Sequence, residues 1–142
     1  MSYHNPNIVL LGSTRGNIKT IGNRKGVIAA GIAVRLKSDQ TISTASADGG
    51  LLGISVGRDM SDIGYTAIAY KGVGVPLRLT AAFTPTIGAP VGIDNVTGLG
   101  KAVGAGVTTV NAVYTTILTE GGLAEDGVTK VPCAMIDFPG GL

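Results

Sequence analysis

The chain has little of what active sites are built from. In 142 residues there is one cysteine, one histidine, no tryptophan, two phenylalanines and four tyrosines. A single cysteine, Cys133, excludes an internal disulfide framework and any multi-cysteine zinc or iron–sulfur site. A single histidine, His4, near the N-terminus and outside the expected folded body, leaves no Ser–His–Asp or Cys–His constellation to argue for. No apolar run approaches the ~18 residues of a membrane-spanning helix. The opening MSYHNPNIVLLGSTRGN also lacks the charged n-region of a secretory signal. From these absences a soluble, unprocessed protein made in the cytoplasm is expected.

Charge is scarce as well. Only 14% of residues are charged, against the ~25% usual in globular proteins. A monomer is normally kept dispersed by a charged coat, so a thin one predicts a surface covered by partners. The charges present are unevenly placed. Before Asp39 stand six basic residues, Arg15, Lys19, Arg24, Lys25, Arg35 and Lys37, and no acid. From Asp39 onward there are five basic and nine acidic residues, a net of −4. A cationic first third on a mildly acidic body points to docking on something acidic.

Glycine is abundant, 23 of 142 residues, and 44% of the chain is hydrophobic, mostly small or β-branched. Helix patterns are missing: Glu120 and Glu125 are the only glutamates and Gln40 the only glutamine. Strand patterns recur at 28–36, 51–57, 65–79, 90–94, 111–119 and 128–138, each bounded by Gly, Pro, Asn or Asp. Short strands at this spacing predict an all-β fold, a small β-barrel or jelly-roll-like sandwich. Residues 1–26 mix single apolar residues with Asn, Gly, Ser and Thr and read as an extended basic N-terminal arm. Residues 27–142 then form one β domain. Pro76, inside the 65–79 run, requires an edge position or a bulge, because proline cannot donate to the ladder.

The stretch DNVTGLGKAVGAG (94–106) invites a phosphate-loop reading and fails it. Gly100-Lys101 is followed by Ala102 rather than Ser or Thr, and the glycine spacing also misses the dinucleotide fingerprint. Glycines and β-branched residues after it oppose the helix such a site needs. A turn between strands is the simpler reading, with Lys101 meeting a protein carboxylate if it meets anything. Cys133, after Pro132 in an apolar strand, reads as an inert buried thiol. Asp59 and Asp62 read as turn residues, and Glu120, Glu125 and Asp126 are too loosely spaced for a catalytic pair. No cofactor and no metal is nominated, and no enzymatic role.

The segments LLGISVGRDMSDIGYTAIAYKGVGVPLRL (51–79), FTPTIGAPVGIDNVTGLGKA (83–102), NAVYTTIL and VPCAMIDFPGGL resemble tailed-bacteriophage capsid cement (decoration) proteins. In that family a strand with G-x-P-V-x-x-D leads into T-G, as Gly88 to Asp94 lead into Thr97-Gly98 here. Leu52-Gly53-Ile54-Ser55-Val56 matches a second recurring segment, and the likeness spans roughly residues 50–142. The resemblance implies a non-enzymatic virion protein on the outer face of an icosahedral capsid, made in the host cytoplasm, stabilising the expanded head. Its expected partners are the major capsid protein and itself, as a dimer or trimer, with no direct nucleic-acid or membrane contact. The expected capsid contacts are Arg15, Lys19, Arg24, Lys25 and Lys101. A carbohydrate- or cell-surface-binding β module on a virion, using Tyr65 or Tyr70, is the alternative.

Overall fold

A computed structural model of the chain describes residues 18–58, 64–123 and 128–142. Their regular structure is strand: β1 (Ile18–Lys25), β2 (Ala33–Leu36), β3 (Ile42–Ser43), β4 (Leu51–Arg58), β5 (Tyr65–Arg78), β6 (Pro90–Asp94), β7 (Gly100–Lys101), β8 (Val107–Leu123) and β9 (Lys130–Phe138). A 3-10 turn at Ser46–Asp48 is the only helical element among the described residues. The fold is all-β, as the sequence predicts. One antiparallel sheet in the order β3-β2-β4-β5-β9-β8-β6-β7, with β1 added on β5, curls into a half-barrel.

Period-two patterning decides which face each residue takes. Along β5, Ala67, Ala69, Val75 and Leu77 enter the main core, where they meet Ile54 of β4, Val91 and Ile93 of β6, Tyr114 of β8, and Ile136 and Phe138 of β9. Each large side chain removed from water there contributes about 1.5–3 kcal/mol. Ala33, Ala67, Ala69, Ala112 and Ala134 share the same core. Small residues on the concave face let the sheet bend sharply, and the larger ones fill what remains.

Behind β2 and β5 lies a second cluster of Val34, Ile42 and Ile68, joined by Ile28, Leu52 and Tyr70. The 26–32 segment crosses this face and is fixed by two buried hydroxyls. Thr66 donates to the Gly26 carbonyl at 2.7 Å and accepts from the Ile28 N–H at 3.1 Å. Ser55 donates to the Ala29 carbonyl and accepts from the Ile32 N–H. This stapled crossing is why the strand expected over 28–36 begins only at Ala33.

The boundary drawn after residue 26 also moves. Ile18–Lys25 is extended, but it is a sheet strand paired antiparallel with β5 from Ile18–Gly72 to Lys25–Tyr65. Residues 1–17 lie outside the described residues. The β5–β9 register shifts between Gly72 and Val75, where the Gly74 N–H donates to the Asp137 carboxylate at 2.7 Å; Pro76, expected at an edge or a bulge, comes just after this irregularity and itself pairs in register with Met135.

Three contacts draw the β6–β8 end of the sheet onto β2 and onto the end of β5. The Ala33 N–H of β2 donates to the Gly98 carbonyl at 2.9 Å. Leu79 bridges Gly100 in parallel. Arg35 of β2, 5% exposed, donates to the Gly49 carbonyl and to Thr108 Oγ1 of β8, both at 3.3 Å. The stretch 94–106 therefore closes the half-barrel. At Gly98 φ is +74°, and a Cβ would sit 2.4 Å from the Ala33 carbonyl oxygen.

Candidate docking surfaces

Arg24 and Lys25 lie at the end of β1, where the chain turns towards the stapled segment. Thr66 is the β5 partner of Arg24 and Tyr65 that of Lys25. Tyr70 leans back across β1 at Gly22, where a Cβ would lie 2.4 Å from its Cε2. That close approach needs glycine, and it lets the Arg24 guanidinium sit over the ring, 5.6 Å from the centroid. Such a contact is worth about 0.5–1 kcal/mol at an exposed site. Arg24 Nη1 also donates to the Asn23 carbonyl at 3.0 Å. Tyr70 is thus engaged by Arg24 and buttresses the sheet, which leaves its ring poorly placed as a sugar platform.

Lys25 is exposed, and its backbone bridges Thr41. Together with Asn23, Arg24, Asp39, Gln40, Thr41 and Tyr65 it lines an open polar depression of about 250 Å³. The acids on this side are held within their own turns. Asp39 accepts from the Thr41 hydroxyl at 2.6 Å and the Thr41 N–H at 3.0 Å, which holds its carboxyl below the usual range. Asp48 accepts from Ser43 Oγ at 2.6 Å. Among the described residues no carboxylate forms an ion pair with Arg24 or Lys25. Lys37 lies on the β2–β3 turn close enough to act on Asp39, and Lys71 lies on β5 opposite Thr20, towards the other end of β1.

Of the five expected contact residues, Arg24 and Lys25 are neighbours on one strand end. Lys19 belongs to β1 by its backbone. Arg15 lies outside the described residues, as do His4, Asp59 and Asp62. Lys101 stands apart from the others on β7. Its Nζ meets Asp94 Oδ2 at 3.2 Å, so it does find a protein carboxylate, one in its own chain. Asp94 also accepts the N–H groups of Val96 and Thr97 on Oδ1, at 2.8 and 3.0 Å. The Thr97 and Val96 amides, with help from Lys101, hold this carboxyl down at about 2. The geometry is that of an Asx turn, and the backbone N–H groups of a supposed phosphate loop are spent on a side chain.

The remaining chemical candidates are shut in. Cys133 is buried with Ala30, Leu118 and Val131, and burial pushes its thiol up to about 12. The protonated thiol is a poor nucleophile. Tyr114, 1% exposed, packs edge-on against Phe83 at 6.3 Å, and burial raises its phenol to about 12. Among the described residues no three His, Cys, Asp or Glu side chains are grouped to hold a metal ion. No helix of the described residues is long and apolar enough to cross a membrane.

Sequence reasoning missed Arg35, Ser55 and Thr66, the polar residues that tie the fold together. Nothing local marks them, since each acts on a segment distant in sequence. No protein-family model matches the chain, and no curated protein sequence matches it.

Proposed function

We propose that this protein is a structural component of a bacteriophage virion, a cement protein that binds the outer surface of an icosahedral capsid and stabilises it. The observation that carries the reading is the state of its charges. Arg24 and Lys25 stand on a strand end with no ion-pairing carboxylate among the described residues, while Asp39 in the same depression is tied into its own turn. Cations held on a rigid sheet lose little freedom when they meet an acidic surface, so more of each contact survives as binding. The resemblance over roughly residues 50–142 supports the same reading.

Each copy contributes a modest interface to the major capsid protein. Symmetry repeats that interface over the shell, and avidity converts weak single contacts into a lattice clamp. The role requires no bond-making chemistry. It requires a stiff body with an unneutralised cationic side.

The test is occupancy of purified expanded capsids by wild type and by the charge-reversed pair Arg24→Glu and Lys25→Glu. Wild type is expected to bind with an affinity that falls as salt rises, and the pair to bind weakly. Undiminished binding by the pair would sink the proposal. Any arm deletion is to stop at residue 17, because removing 18–25 takes away β1 itself.

A further inference from the structure

The β2–β3 turn holds a residue that its own geometry disfavours. The Gln40 N–H donates to the Lys37 carbonyl at 3.0 Å and the Lys37 N–H to the Thr41 carbonyl at 2.8 Å, which makes Ser38-Asp39-Gln40 a three-residue hairpin loop. The last position of such a loop is left-handed and suits glycine. Here it is Gln40, at φ +74°. Among the described residues Ala82 is the only other non-glycine with a positive φ. Backbone strain of this kind collects where a side chain is put to use.

Gln40 lines the polar depression of about 250 Å³ between this turn and the end of β1. The Lys25–Thr41 bridge ties the two sides together. The β1 side supplies Asn23, Arg24 and Lys25, and neither cation is ion-paired among the described residues. Arg24 Nε is shut off from water without a hydrogen-bond partner. The turn supplies Asp39, Gln40 and Thr41, and Tyr65 at the start of β5 completes the lining. Both Thr41 bonds to Asp39 fall on Oδ1, so Oδ2 keeps its acceptor capacity.

We propose that this depression binds an acidic sugar, a hexuronate, free or at the end of a saccharide. The class follows from the two signs of charge in one lining. A carboxylate suits Arg24 and Lys25, which give it charge-assisted hydrogen bonds. A phosphate would set its second negative charge against Asp39. A neutral sugar would leave the two cations without a counter-charge. Hydroxyls next to a carboxylate suit Asp39 Oδ2 as acceptor, and the Gln40 amide and Tyr65 phenol, which both donate and accept. A few convergent polar groups of this kind fix a small ligand's orientation. Glycine at position 40 would relax the turn and remove one of them.

The inference goes beyond the coat reading and does not rest on it, although both use Arg24 and Lys25. The full chain is titrated at constant ionic strength with glucuronate, glucose, acetate and inorganic phosphate, followed by backbone amide NMR shifts. Glucuronate is expected to shift the amides of residues 23–25 and 39–41 saturably, and each of the others to bind at least about tenfold more weakly. Gln40→Gly is expected to raise the thermal midpoint yet weaken glucuronate about tenfold. Lys25→Gln is expected to weaken it likewise with the fold unchanged, and Lys101→Gln to bind as wild type does. No saturable shift with glucuronate overturns the inference. So does acetate or phosphate binding as tightly as glucuronate, or Gln40→Gly binding as tightly as wild type. Glucuronate binding without capsid occupancy would leave this inference standing and remove only the coat reading, and capsid occupancy without glucuronate binding would do the reverse.

Discussion

The two sides of this half-barrel are built from the same strands and differ in what they leave unsatisfied. On the β1–β3 side, Arg24 and Lys25 have no ion-pairing carboxylate among the described residues, while Asp39 serves its own turn. On the β6–β8 side Asp94 and Lys101 pair with each other, and Ile87, Val96, Val103 and Val113 are exposed among threonines and an asparagine. The first kind of surface favours a partner of opposite charge and is sensitive to salt. The second favours a partner equally apolar and is nearly indifferent to salt.

The comparison breaks most completely if the neutral side loses its attachment to β2. Gly98→Val places a branched side chain at φ +74° against the Ala33 carbonyl. It is expected to cost about 3 kcal/mol or more, measured by thermal or urea unfolding. Arg35→Ala comes next. It removes a buried link between β2 and β8 and leaves the Gly49 carbonyl and Thr108 to find other partners, for an expected loss of about 2 kcal/mol. Arg35 has no carboxylate partner among the described residues and its Nε has no hydrogen-bond partner, so burial lowers its pKa. Arg35→Met, which keeps the volume without the charge, is therefore expected to be clearly more stable than Arg35→Ala.

On the cationic side, Gly22→Ala drives a methyl into the Tyr70 ring and is expected to cost about 1–2 kcal/mol. Adding Tyr70→Ala should recover part of that loss, and additive losses in the double mutant would show that ring and glycine are uncoupled.

β1 was illegible as a strand for the same reason. Its sequence, IKTIGNRK, alternates weakly and carries glycine at its centre, which reads as loop. Gly22 is there because Tyr70, two residues beyond its register partner Ile68, crosses over it, and a one-dimensional pattern cannot show that crossing. β4, β5, β6 and β9 were legible because each is a β-branched run with turn residues at its borders. The start of β8 at Val107 was hidden by Gly104 and Gly106, and β3 and β7 are two residues each, too short for periodicity to register. Of the site, the charge imbalance was readable from composition. That Lys101 belongs with Asp94 rather than with Arg24 and Lys25 depends on sheet register, and no composition gives it.

The smallest expected effect sharpens the neutral side. Asp94 titrates at about 2 in the fold, against ~3.9 in an unfolded chain. Its folded pKa is the lower one, so its contribution is complete above ~3.9 and is lost as pH falls through about 2. Wild type is expected to lose stability over that window, and Asp94→Asn to show a flatter profile there in acid titrations followed by circular dichroism. Equal slopes for the two proteins would remove Asp94 as the source.

Cys133 turns the half-barrel into its own clock. The chain has one thiol, in β9, and it is sealed in an apolar cluster. Alkylating or disulfide reagents can reach it only when that part of the sheet opens, so its labelling rate measures the free energy of opening directly. No probe has to be engineered in. Free chains and chains held by any partner can be timed with the same sulfur atom. The difference between those rates would say how far the stiffening by that partner reaches into the middle of the sheet.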